Sequence, residues 1–126
     1  MVAALDHRRV SHRWPTPEVL FHAEAAVALP NLVYTCPENA TVQVLTPNAT
    51  NTGANDTDWW FFIAPAGIVP ATVVAVHALI WEERILRNTS PDQGPSWEQC
   101  MVAGDQIFIQ ANDPGVIVRD SGIVLK

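Results

Sequence analysis

The chain has 126 residues, enough for one domain around one hydrophobic core but too few for two independent cores. Hydrophobic residues make up 48% of it and charged residues 16%, a balance that excludes a disordered chain. No apolar run approaches the roughly 20 residues that a membrane helix needs. We therefore expect one folded domain that does not interact with a membrane.

The formal charge of −6 is unevenly distributed. Residues 17–126 contain four cations and twelve acids and sum to −8, so we expect no binding of nucleic acid. Residues 1–16 sum to +2. Their charged residues are Arg8, Arg9, Arg13 and Asp6.

The N-terminal charge indicates a short basic arm. Trp14 is followed by Pro15 and Pro17, and two prolines so close together favour extended backbone. We predict that residues 1–17 form an arm that docks on a neighbouring acidic subunit, and that residues 18–126 form the domain. A frayed terminus is the alternative.

The first predicted elements of the domain are short. Residues 18–29 contain alanines that favour a helix, but every second residue from 21 to 29 is apolar, which favours a strand with one buried face. We interpret them as a strand. Strands are also predicted for residues 32–36 and 41–46, around a turn at 37–39. Residues 47–58 lack large apolar side chains and predict a surface loop.

The strongest strand prediction covers residues 59–63, which are five consecutive large β-formers. Such a strand needs both faces covered, so one of Trp59 and Trp60 should enter the core and the other should meet another element or subunit. Residues 72–86 predict a further strand that bends near Glu82 and Glu83. Those two adjacent side chains should point to opposite faces.

The last third of the chain alternates turns and strands. Residues 97–101 are predicted to be extended, residues 106–110 form a strand, and residues 116–118 and 123–125 form two final strands. The predicted turns are marked by Gly104, Asp105, Pro114 and Gly115. Seven or eight short strands at this spacing are typical of an all-β sandwich or jelly roll.

No pattern of catalytic or metal-binding residues stands out. The four histidines form no metal-ligand pair of the HxH, HxxxH or HExxH kind, so we expect neither a metal nor a cofactor. Cys36 and Cys100 are the only cysteines. Because no apolar signal-peptide stretch follows the first residues, we expect reduced, buried thiols; a disulfide is the alternative.

Five tryptophans are many for a small domain. They suit a core together with a subunit interface, where large aromatic side chains supply much of the buried area. The predicted interface residues are the arm residues together with Trp59, Trp60 and Trp97. The alternative is an exposed aromatic platform that binds carbohydrate.

Two motifs in sequence order carry a family resemblance. Residues 32–37 are LVYTCP, and residues 101–109 are MVAGDQIFI, a Gly-Asp turn followed by a strand. An Asn-rich loop and an apolar strand lie between them, and an Asp-Pro-Gly turn follows. This order resembles small phage virion proteins with a β-sandwich fold. The aromatic run at 59–62 and residues 1–29 depart from that pattern.

The resemblance implies a non-enzymatic virion subunit, repeated on the capsid surface or in the tail, neck or baseplate. It implies no catalytic residues and, as partners, other copies of the chain and neighbouring virion proteins. A symmetric trimer or hexamer would fit such a role. The competing functions are a carbohydrate-binding or host-attachment module and, with less support, an enzyme.

Overall fold

The computed structural model describes residues 16–68, 79–90 and 99–126. Within these ranges the chain forms nine strands: β1 Glu18–Glu24, β2 Asn31–Thr35, β3 Thr41–Val44, β4 Asn48–Asn51, β5 Thr57–Ala64, β6 Leu79–Ile85, β7 Gln99–Val102, β8 Gln106–Ala111 and β9 Val116–Leu125. Residues 1–15 of the predicted arm, with Arg8, Arg9, Arg13 and Trp14, lie outside the described ranges, as do Trp97 and residues 72–78 of the strand predicted at 72–86.

The strands form two antiparallel sheets. Sheet A has the order β1-β9-β3-β7, with β4 also paired to β9, and sheet B has the order β2-β8-β5-β6. The two sheets pack face to face, so the predicted all-β sandwich is confirmed. A jelly-roll connectivity stays a prediction. The part of the chain that the structure describes contains no helix able to cross a membrane.

The core lies between the sheets because alternate side chains of each strand point inward. Sheet A contributes mainly valines and sheet B mainly aromatic and isoleucine side chains. The largest of these buried residues are Trp59, Phe61, Ile85, Met101, Ile107 and Ile109. The rings of Phe21 and Phe61 stack across the core with centroids 6.4 Å apart.

The C-terminal strand is longer than the sequence predicts. We expected two strands separated near Asp120, but β9 is continuous and pairs with β1 along one edge. Its other edge pairs first with β4 and then with β3. The interruption therefore lies in the partner, where Pro47 lacks the N–H that a continuous strand would donate.

The predicted surface loop at residues 47–58 is wrong at both ends. It contains β4, and β5 begins at Thr57. Asn51 is fully buried, and its amide nitrogen donates to the carbonyl oxygens of Asn55 at 2.7 Å and Ile85 at 3.2 Å. Small polar residues are therefore sufficient for a strand here, because the neighbouring backbone satisfies the buried amide.

The end of β1 also differs from expectation. β1 ends at Glu24 because Ala26 forms a bridge with Gln110 of sheet B, so the chain crosses between the sheets and the alternation is lost.

β6 keeps a regular register with β5 through Glu82 and Glu83. The register shifts just before them, where Phe61 pairs with Trp81 and Phe62 pairs with Leu79. The bend expected near Glu82 and Glu83 stays a prediction.

Candidate assembly surface

The outer face of sheet A carries an exposed apolar area at one end. Thr41 of β3 lies between Val102 of β7 and Leu125 of β9, and the next outward row of the same strands contains Gln43, Cys100 and Ile123. Val19 of β1 lies opposite Ser121 on the same face. We call these eight positions the apolar half of sheet A.

The side chains of the apolar half are accessible. Val102 is 59% exposed, and Val19 and Leu125 are each 48% exposed. The eight positions include no charged residue. A scattered exposed aliphatic side chain is ordinary, but several of them on neighbouring strands with no charge between them make this face a candidate interaction surface.

The other end of the same face has a different character. His22 lies opposite Arg119, which lies opposite Asn48, and all three are exposed. Glu24 follows on β1, and its carboxylate accepts a hydrogen bond from the Gly115 nitrogen at 3.0 Å. We call this end the polar half of sheet A. Its charged and polar side chains are favourable in water, so this end does not need a partner to cover it.

Gly104 and Asp105 lie in the turn that follows β7. Asp105 accepts a hydrogen bond from the Val102 nitrogen through Oδ2 at 3.0 Å, and its own nitrogen donates to the Val102 carbonyl at 3.0 Å. Gly104 has a φ of 91°, which suits glycine in this turn. Asp105 therefore shapes the turn that ends β7.

The second predicted turn depends on a close backbone approach. Gly115, which follows Pro114, has a φ of 107°, and a Cβ there would lie 2.5 Å from the Gly53 nitrogen. The Thr52 nitrogen also donates to the Gly115 carbonyl at 2.8 Å. The glycine pair allows the β4–β5 and β8–β9 connections to touch.

Trp59 and Trp60 divide as the sequence predicts. Trp59 points into the core and is 1% exposed, with its indole nitrogen 3.1 Å from Glu83 Oε1. Trp60 lies half-buried on the outer face of sheet B and donates to Glu82 Oε2 at 2.6 Å. Glu82 and Glu83 therefore point to opposite faces, and each carboxylate accepts a hydrogen bond from one indole.

The outer face of sheet B is also apolar, and its large aromatic side chains are buried, although Leu32 on the same face is 45% exposed. Phe62 and Phe108 are 4% and 0% exposed, and Trp60 and Ile68 pack against them. At one edge of this cluster Arg84 forms an ion pair with Asp58 at 3.2 Å. Trp60 therefore belongs to a small second core of the chain, although part of its ring remains accessible.

The two cysteines are both free. Cys36 is buried as expected. Burial is the larger cause that raises the pKa of its thiol, and the nearby Asp105 raises it further. Cys100 corrects the expectation of two buried thiols, because it is exposed on the apolar half of sheet A. The structure thus places one protected and one accessible thiol in the same molecule.

A buried carboxyl group lies beneath the junction of the two halves. Asp120 occupies an inward position of β9, is 1% exposed, and accepts a hydrogen bond from the Ser121 nitrogen at 2.8 Å. Its Oδ2 has no hydrogen-bond partner among the described residues. Burial raises the pKa of this carboxyl from 3.8 to about 8, although the bond from Ser121 opposes the shift.

Neither the apolar half of sheet A nor Asp120 was predicted from the sequence. The alternation of side chains in residues 116–125 could have indicated both. From residue 116 to 124 every even-numbered position is inward, and Asp120 falls in that series. Residues 123–125 are apolar at both parities, which indicates that apolar side chains occupy both faces of the strand there.

Comparison with protein-family models, with curated proteins and with solved structures finds no significant match. Within the described residues, no group of three or more histidine, cysteine, aspartate or glutamate side chains is arranged to hold a metal ion.

Proposed function

We propose that the chain is a non-enzymatic structural subunit of a phage virion. In this role it is repeated on the capsid surface or in the tail, neck or baseplate, in contact with other copies and with neighbouring virion proteins. The observation that supports the proposal is the uncharged, exposed apolar half of sheet A, because the largest exposed apolar patch of a protein is often an interaction surface.

The fold also brings together the two motifs on which the resemblance depends. β2 pairs with β8, so the two motif strands are neighbours in sheet B. The Cys36 nitrogen donates to the Asp105 carbonyl at 2.8 Å, and the Gly104 nitrogen donates to the Cys36 carbonyl at 3.0 Å. The motifs thus form one structural unit, which supports their use as a joint signature.

Two measurements test the proposal. Light scattering of the purified full chain is expected to give the mass of a closed symmetric oligomer, with a trimer or hexamer as the expected state. Quantitative mass spectrometry of phage particles from the source culture is expected to find the chain at a fixed, repeated copy number. A monomer at all concentrations, or particles that lack the chain, would overturn the proposal.

A carbohydrate-binding or host-attachment module is the second candidate. It is favoured by Trp60, whose partly accessible ring lies beside Glu82 and opposite Gln110 on the outer face of sheet B. Titration with bacterial surface saccharides would change tryptophan fluorescence in the native chain and not in Trp60→Phe. Equal responses from the two chains would remove this candidate.

A further inference from the structure

We propose that the apolar half of sheet A is the docking site for residues 1–15 of a second copy of the chain. The inference names the partner of the assembly surface and therefore rests on the proposed function. Three observations carry it: the size of the apolar half, the place where the chain enters β1, and the charges around the site.

The apolar half is too small for a flat interface between two domains. Its eight positions, each about 4.8 Å across the sheet and 7 Å along a strand, cover roughly 300 Å². A stable complex buries about 800 Å² on each partner. An extended segment is a better match, because six residues at about 3.3 Å each span the roughly 20 Å width of the sheet.

The arm joins the domain at the same end of sheet A as the apolar half. Glu18 pairs with Gly122, and β1 runs antiparallel to β9, so the chain before Glu18 heads towards the end of the sheet at Leu125. Pro17 and Pro15 favour extended backbone on either side of Thr16. The 15 residues before Thr16, at up to about 3.3 Å each, are long enough to reach the corresponding surface of a second copy.

The charges around the apolar half complement those of the arm. The turn before β3 contains Glu38, the turn after β7 contains Asp105, and β1 begins at Glu18, against one nearby cation, Lys126. The arm contributes three arginines, and its apolar side chains supply contacts for the aliphatic surface between those acids. Its apolar residues include Val2, Leu5, Val10 and Trp14.

Cys100 allows a direct test in full-length chains. One chain carries Val10→Cys with Cys100→Ser, so that a thiol is present on the arm and absent from the site. It is mixed with the unaltered chain, in which the exposed Cys100 marks the site and the buried Cys36 reports any loss of structure. After mild oxidation, we expect a covalent dimer in which peptide mapping joins position 10 of one chain to Cys100 of the other.

Matched variants of the unaltered partner locate the contact. Val102→Lys with Leu125→Lys places positive charge in the site and is expected to lower the yield of the 10–100 link by roughly tenfold or more. Leu86→Lys alters an equally exposed aliphatic residue outside the site and is expected to leave the yield unchanged. Circular dichroism confirms that each variant is folded. The mixture of the Val10→Cys, Cys100→Ser chain with the unaltered chain tests the docking even if a lysine variant fails to fold.

The outcomes separate the docking inference from the proposed function. An oligomer by light scattering that forms no 10–100 link overturns the docking inference and leaves the structural role intact. A link formed only within one chain, seen when Val10→Cys alone is oxidised, shows that the arm covers its own site and overturns the exchange. A monomer that forms no link overturns both.

Discussion

The outer faces of the two sheets are both rich in apolar residues, but the large aromatic side chains of sheet B are buried and the aliphatic side chains at one end of sheet A are about half exposed. On sheet B, Phe62 and Phe108 are buried beneath Trp60 and Ile68. On sheet A, Val102 and Leu125 remain about half exposed. The difference teaches that aromatic content alone does not indicate exposure: the chain buries the aromatic pair by itself, whereas the aliphatic side chains of sheet A stay accessible.

The largest expected effect tests whether the outer face of sheet B is a true second core. Phe108→Ala should lower the free energy of unfolding by about 3–5 kcal/mol, because the ring is fully buried and its removal leaves a cavity. Urea denaturation measures the change. Leu32→Ala, directly across the strand pair and 45% exposed, is the control and should cost about 0.5 kcal/mol or less. Equal losses would mean that this face is not a core.

The second prediction concerns the inner face of sheet A. Between about pH 4 and pH 8 the folded chain keeps a proton on Asp120 that the unfolded chain has released. The contribution of this group to the free energy of unfolding is therefore greatest in acid, falls by roughly 1.4 kcal/mol per pH unit across that window, and levels off above it.

Asp120→Asn removes that titration while preserving the shape of the side chain. The difference in the free energy of unfolding between variant and native chain should therefore grow in favour of the variant as pH rises. Urea titrations at several pH values between about 5 and 8 measure it. A constant difference across the series would contradict a buried, protonated Asp120.

A smaller effect is expected at the edge of the polar half, where two connections touch. Gly115→Ala should cost about 1–3 kcal/mol, because the residue combines a positive φ with the close approach of Gly53. Gly67→Ala is the matched control, since its φ of 88° is similar but no atom lies within 4 Å of its Cβ position. Thermal melts of both variants separate the cost of the positive φ from the cost of the contact with Gly53. Equal costs would show that the contact contributes nothing.

The smallest expected effect completes the comparison of the two faces. Val102→Lys should change the free energy of unfolding by no more than about 0.5 kcal/mol, because the side chain is already in water in the single chain. The measurement is made at low protein concentration, where association contributes least. A loss as large as that of Phe108→Ala would show that the side chain is packed within its own domain.

Much of the fold could be predicted because it depends on local chemistry. Strand-forming runs, the turns at Gly104 and Gly115, and the division of Trp59 and Trp60 between two faces follow from side-chain alternation and backbone preferences. β4 was missed because Ala49 and Asn51 have no strong strand signal of their own. Their pairing with β9 and the hydrogen bonds of Asn51 supply the stabilisation that the local sequence lacks.

The sequence by itself determined an all-β chain, its principal turns and the charge contrast between residues 1–16 and the rest. Only the tertiary structure decided which apolar side chains stay in water and which acid is buried. Val102 and Leu125 each pair with Thr41, and Asp120 pairs with Phe21. Each of these pairings joins residues that are far apart in sequence. Local preferences specify which side chains alternate, whereas coverage of a face depends on what the rest of the chain places over it.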